Sequence, residues 1–348
     1  HISNTIIDGS QPSHPDSGSV VYFVSGEDTN TILCGFTITN GTGTISSNSK
    51  YGGGIFCYNS GCKILSNKII NNTVNGTSSY GGGLTLENTS AVTIVNNKII
   101  DNSASTLGGG IYDWGTSGTI ISCNQFIRNR TSPNNSAGGG LFCFLSDSIT
   151  VTGNVFRENS GYKCGGLGSQ DSDLLLINNI FTENQAYEAG AVGVSQFYSP
   201  RINRNINNTF TGNVADIAGG IELEAGLQLE ALNNIFWGNN APLAPEIYVK
   251  GGTMDIAYSD IRFGVDSIQV APGATLNWLD GNIDVDPLLV ADSLSDTSPC
   301  ISTGIHSFDF AGGTICYCPP EDINGRMRPY PAGSHPDMGA WESKEGVV

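Results

Sequence analysis

The chain has 348 residues, 39% of them hydrophobic, with 46 glycines and a net charge of −17 from only 15 basic side chains. So acidic a surface excludes nucleic acid and anionic membrane as partners, and no apolar run approaches the ~18 residues of a membrane-spanning helix. Abundant glycine and asparagine argue against long helices and for short strands broken by tight turns.

From the amino terminus, Thr5-Ile6-Ile7-Asp8-Gly9 reads as a first strand. No signal-peptide pattern precedes it, so an export signal is expected to have been removed. Val20-Val21-Tyr22-Phe23 and the stretch from Gly35 to Gly41 read as one early coil. From Asn67 onward an Asn-x-x-x-x-Asn motif recurs seven times, with first members Asn67, Asn97, Asn124, Asn154, Asn179, Asn208 and Asn234. The steps between them are 30, 27, 30, 25, 29 and 26 residues. A repeat of this length is one coil of a solenoid, which buries its apolar face only by stacking on the next.

Two residues after each first Asn stand Ile69, Ile99, Phe126, Phe156, Phe181, Phe210 and Phe236, an expected interior column. Ahead of each motif lies a small-residue triplet, Gly52 to Gly54 before the first and Ala218 to Gly220 before the last, suited to a sharp corner or close approach between coils. The aliphatic residue that follows, from Ile55 to Ile221, forms a second column, and Ile64, Ile94, Ile121, Val151 and Leu176 form a third. The asparagines are expected to hydrogen-bond to the coils above and below and to suit the left-handed conformation that such turns use. Met254 to Phe263 and Ala274 to Leu289 read as later coils, after which the period is lost in Pro-, Gly- and Asp-rich sequence. Residues 1–289 are therefore expected to form a monomeric solenoid and residues 290–348 to cap its open end.

These features resemble right-handed parallel β-helix repeat proteins of bacterial surfaces and secretions. The resemblance is carried by the Gly-Gly-Gly-Ile type strands, the Asn ladders and an ending with Asp322-Ile323-Asn324-Gly325-Arg326 and Asp337-Met338-Gly339-Ala340-Trp341-Glu342. It implies an all-β, right-handed parallel β-helix of about ten coils with an irregular C-terminal cap, outside the cell or on a bacterial surface. That architecture serves polysaccharide lyases, glycoside hydrolases, epimerases and adhesins alike, so activity has to be argued from the site.

Side chains alternate along a strand, so if Ile55 and Cys57 point inward, Phe56 and Tyr58 point out. Carried through the stack, the outer face holds Phe56, Tyr58, Tyr112, Trp114, Phe142 and Phe144, then Gly168, Gln170, Gly193 and Ser195, with Glu87, Glu222 and Glu224 among them. The rings would stack on sugars, with Gln170, Ser195 and Tyr198 beside a recess at Gly168 and Gly193, unless loops between coils fold over them. Glu222 and Glu224 lie two strand residues and ~7 Å apart, which suits the acid and base of inverting hydrolysis, although exposed glutamates are ordinarily just solvated. Glu87 and Asp113 form the competing catalytic pair; Asp113 falls in an inward column, where burial would raise its pKa.

The expected function is that of an extracellular carbohydrate-active protein, a polysaccharide-degrading glycoside hydrolase, with polysaccharide or cell-surface glycan as partner. The alternatives are a non-catalytic adhesion module and a polysaccharide lyase. A lyase needs cations against a uronate, and few lie near the face: Lys163, Arg201 and Arg204. No cofactor or resident metal is expected. Asp280-x-Asn282-x-Asp284-x-Asp286 spaces oxygen ligands as a calcium loop does, but lacks the glycine at the sixth position. Nine cysteines argue against a full disulfide framework; Cys57 and Cys143 fall on inward positions, and Cys300, Cys316 and Cys318 leave room for one bridge.

Overall fold

The computed structural model describes residues 2, 5–198, 201–224, 226–311 and 314–346. Each coil contributes one short strand to each of three ten-stranded parallel sheets, and no α-helix occurs among the described residues. The first sheet holds the strands that follow the small-residue triplets, among them Ile55–Tyr58, Leu84–Glu87, Ile111–Trp114 and Leu141–Phe144. The second holds the Ile64 column, and the third the strands lying between paired ladder asparagines, such as Val155–Arg157 and Ile180–Thr182. Pairing is in register, so Ile55, Leu84, Ile111, Leu141, Leu167, Val192 and Ile221 sit one above another.

Unshifted parallel register places equivalent side chains at the ~4.8 Å strand spacing, close to the separation at which aromatic rings stack. The interior phenylalanines do so. Phe126, Phe156, Phe181, Phe210 and Phe236 are fully buried, with successive centroids 4.4, 4.7, 5.1 and 4.6 Å apart.

Both asparagine ladders run unbroken through the seven repeats. In the first, each backbone N–H donates to the Oδ1 of the next coil's asparagine at 2.8–3.0 Å. Each Nδ2 also reaches a carbonyl of the coil before, as Asn154 Nδ2 does to Ile121 O at 2.8 Å. The left-handed residue is not the ladder asparagine but the one ahead of it: Ser66, Asn96, Cys123, Gly153, Asn178, Asn207 and Asn233 all have φ between 52° and 64°. The ladder asparagine is thus selected for its amide and its neighbour for the corner. In the triplets, a Cβ on Gly139 would lie 2.5 Å from the Gly165 carbonyl oxygen, so close stacking of coils requires glycine there.

The segment after residue 289 lies along the flank of the solenoid instead of across its open end. Phe310 and Cys316 pack on Ile206, Leu232 and Ala257, while Trp278 on the terminal coil stays 37% exposed. Three asparagines at left-handed corners grip the segment. Asn178 Nδ2 donates to Glu321 O at 2.7 Å, Asn207 Nδ2 to Asp337 O and Gly339 O at 3.0 and 3.2 Å, and Asn233 exchanges two 2.9 Å bonds with Ile305. Arg157 further upstream pairs with Asp292. Within the segment the ending motif is structural: Asp337 accepts from Ser302 N and Ser343 N, and Glu342 accepts from Tyr330 N and Asp337 N beside buried Arg328. No bridge forms among Cys300, Cys316 and Cys318, whose thiols turn to Asp260, Glu230 and Asn207 respectively.

Candidate functional site

On the outer face of the first sheet the side chains form two rows, and the structure treats them differently. Phe56, Tyr112 and Phe142, expected as an open platform, are only 4–6% exposed. An outer aromatic layer covers them: Tyr51 stacks on Phe56 at 5.7 Å and on Tyr80 at 5.3 Å, and Tyr80 on Tyr112 at 4.9 Å. Tyr51 and Tyr80 come from two extra strands, Ser49–Tyr51 and Ser79–Tyr80, in the turns ahead of the triplets. The second row, Tyr58, Trp114, Phe144, Gln170 and Ser195, keeps partial access to solvent.

Where the aromatic layer ends, a cleft of about 430 Å³ opens, with Phe142, Phe144, Gln170 and Ser195 on one side and Glu222 and Glu224 on the other. Tyr162 and the 63% exposed Phe197 complete its apolar rim. Phe197 is held there by Asp171, whose Oδ1 accepts from Phe197 N and Tyr198 N at 2.6 and 3.0 Å. Tyr198 itself is 75% exposed and does not line the cleft. Gly168 and Gly193 do not open the expected recess. A Cβ on Gly168 would meet the Phe142 ring at 2.6 Å, and one on Gly193 the Cys164 Sγ at 2.4 Å, so both glycines make room for neighbours.

The acidic wall is a charge lattice. Lys163 Nζ lies 2.7 Å from Glu188 Oε2 and 3.3 Å from Glu224 Oε1; Lys250 Nζ lies 3.0 Å from Glu222 Oε1 and 3.2 Å from Glu224 Oε1. Three carboxylates thus share two ammonium groups, one negative charge in excess. Burial raises the Glu222 carboxyl, against the pull of Lys250. Burial opposes the charge on both lysines, but their carboxylate contacts prevail and hold both ammonium groups above the ordinary lysine range.

Glu222 and Glu224 stand side by side as expected, but one oxygen each of Glu188, Glu222 and Glu224 lies within 4.8 Å of the others, closer than the ~6.5–9.5 Å of an inverting pair, and Lys250 bridges Glu222 to Glu224. The structure does not bring the competing pair together. Asp113 faces the interior, fully buried, accepting from Thr116 Oγ1 at 2.7 Å and Ser146 Oγ at 2.6 Å; burial pushes its carboxyl up to about 6 despite those bonds. Glu87 faces outward, 8% exposed, between Tyr58 and Trp114.

The proposed calcium run is spent on backbone. Asn282 Oδ1 accepts from Ser259 N and so extends the first asparagine ladder, Asp284 accepts from Phe263 N, and Asp286 accepts from Leu288 N. Among the described residues, the acidic group gathered closely enough for an ion is Glu188, Glu222 and Glu224, not this run.

Sequence reasoning missed Glu188 and Lys250, yet the coil step contains both. Glu188 bridges to Lys163, 25 residues earlier, and Lys250 follows Glu224 by 26, each a step found in the asparagine motif.

No curated protein matches the chain. Residues 34–205 match the family model described as right handed beta helix region. With the three stacked parallel sheets, that match makes the chain a β-helix repeat protein, right-handed through the matched coils.

Proposed function

We propose that the chain is an extracellular or cell-surface glycan-binding protein whose binding site is the cleft between Phe144 and Glu224. The observation that carries this reading is the pairing of an apolar rim with a fixed lattice of donors and acceptors. Phe144, Phe197 and Tyr162 offer ring faces to a sugar, while Gln170, Ser195 and the lysine-paired glutamates offer partners to its hydroxyls. Because the lattice is already ion-paired, it is rigid before ligand arrives, which favours binding.

Hydrolysis of a polysaccharide is the second reading, favoured by one observation: Glu222 is buried, has a raised carboxyl and stands beside Glu224. A lyase is favoured least, since Lys163 and Lys250 are both committed to carboxylates and would not neutralise a uronate.

The test is a panel of plant, algal and microbial glycans, scored for binding, for new reducing ends and for unsaturated products. Phe144→Ala and Glu224→Gln should each weaken binding about 10- to 100-fold, the scale of one lost stacking or charge-assisted contact, with no product released by the wild type. Reducing ends that appear with wild type and vanish in Glu222→Gln and Glu224→Gln would replace binding by hydrolysis. Absence of any wild-type binding across the panel would remove both.

A further inference from the structure

We propose that Cys57 and Cys62 are an oxidation site, at which a disulfide closes the turn between the first and second sheets near the amino-terminal end of the solenoid. Neither residue lines the cleft, so this inference stands without the glycan reading of that site.

The repeat sets the two thiols opposite one another. Cys57 is the third residue of the strand Ile55–Tyr58, and Cys62 immediately precedes Lys63–Leu65, the second-sheet strand of the same coil. Register stacks Leu86, Asp113 and Cys143 on the Cys57 position, and Val92, Thr119 and Ile149 on the Cys62 position, one residue ahead of the paired strands. All eight are buried, so the two positions face each other across the inside of the turn. Two coils after Cys57, hydrogen bonds cross that gap: Thr119 Oγ1 donates to Thr116 Oγ1 at 3.0 Å, and Thr116 Oγ1 to Asp113 Oδ1 at 2.7 Å. In the Cys57 coil sulfur spans it, with the two Sγ atoms 3.8 Å apart and already in contact. Closing to a bond of ~2.0 Å completes the bridge.

Neighbouring coils hold this turn from both sides. Ser60 Oγ donates to Glu27 Oε2 at 2.8 Å and Gly61 N to Glu27 O at 2.6 Å on the coil before, while Asn59 N donates to Glu87 O at 3.1 Å on the coil after. A turn fixed in this way presents each thiol to the other at high effective concentration, which favours an internal bridge over mixed disulfides.

Competing thiols are placed elsewhere. Cys143 shares the inward column but lies three strand spacings away, ~14 Å, and faces Ile149. Cys34 and Cys123 are exposed, and the thiols of Cys300, Cys316 and Cys318 turn to other partners.

The step balances by thiol–disulfide exchange. Each thiol gives up its hydrogen and a sulfur–sulfur bond forms between Cys57 and Cys62. The two electrons and two protons pass to a small disulfide such as oxidised glutathione, whose own sulfur–sulfur bond breaks to leave two thiols. Both cysteines are fully buried in the folded coil, so exchange takes place while the coil is still closing during folding. An oxidising folding compartment supplies the oxidant.

The experiment uses the full chain secreted into an oxidising medium, quenched in acid, alkylated with iodoacetamide in denaturant and digested with trypsin. Cleavage after Lys50 and Lys63 puts both cysteines in one peptide, Tyr51 to Lys63. That peptide should be about 2 Da lighter than its dithiol form and carry no alkyl group, whereas reduction before alkylation should add two. Cys143→Ser should leave the result unchanged, and Cys62→Ser should leave Cys57 alkylated. Two alkyl groups on the unreduced wild-type peptide, a glutathione adduct on either cysteine, or a cross-link from either to a third cysteine would overturn the proposal.

Discussion

Replacing Asn154 with alanine isolates what one rung of the ladder contributes. Its Oδ1 accepts from Asn124 N at 2.9 Å and from Asn124 Nδ2 at 3.0 Å, and its Nδ2 donates to Ile121 O at 2.8 Å. Asn124 Nδ2 keeps a second partner in Ile94 O, and Ile121 O keeps its place in the ladder with the next coil, but Asn124 N would be stranded in an interior that water does not reach. A stranded group costs about 1–3 kcal/mol, so Asn154→Ala should lose about 1–3 kcal/mol. Asn282→Ala is the matched control. It too gives up bonds to Ser259 N and Ile256 O, but at a half-buried end of the ladder where water can replace them, and should lose about 1 kcal/mol or less. Urea unfolding followed by tryptophan fluorescence reads both, and comparison of slopes shows whether the array still unfolds as one unit. Equal losses for the two variants, or a wild-type midpoint for Asn154→Ala, would refute the reasoning.

The charge lattice and the buried aspartate yield two pH predictions. Lys250→Met removes the cation shared by Glu222 and Glu224 and should cost about 1–3 kcal/mol near neutrality, discounted because the lysine is 40% exposed. Since the variant leaves a buried carboxyl raised further above its ordinary 4.5, the deficit should grow as pH rises through that value and vanish below it, as melting curves across pH would show. Asp113, raised from 3.8 to about 6, binds a proton more tightly folded than unfolded, so its contribution to stability falls as pH rises between those values. Relative to Asp113→Asn, wild type should lose about 3 kcal/mol over that window, and parallel stability curves for the two proteins would disprove the assignment.

What the sequence disclosed and what it withheld follow from the range of the interactions. Asn67 to Asn239 announce the coil by spacing, and because stacked coils put equal positions in contact, a column read from sequence is a column in space. Phe126 to Phe236 needed no more than that. Burial of the rings depended on Tyr51 and Tyr80, each the residue just ahead of a glycine triplet and outside the strand that carries the alternation, so alternation alone could not decide whether Phe56 and Tyr112 are open or covered. The surroundings of the glutamate pair were out of reach for a different reason. Alternation placed Glu222 and Glu224 on the outer face as expected, but separation along a strand says nothing of the cation between them, and Lys250 belongs to the next coil. The C-terminal segment lacked a period altogether, so its docking site could not be inferred from its own residues.

The doubled asparagines at 178–179, 207–208 and 233–234 bear on how such an array changes length. Where the first residue of the doublet is an asparagine that holds the returning tail, its coil is committed to a fixed distance from its neighbours, because one tail is tied to all three coils, at Asn233 through Ile305, at Asn178 through Glu321 and at Asn207 through Asp337. Inserting or deleting a coil within that stretch would unhook the tail. Upstream the same corner is filled by Ser66, Asn96, Cys123 or Gly153. Ahead of the Gly153 coil, which Arg157 ties to Asp292, whole coils can be gained or lost with only the stacking surfaces to match, which makes the amino-terminal part the place where this solenoid can lengthen or shorten over evolutionary time.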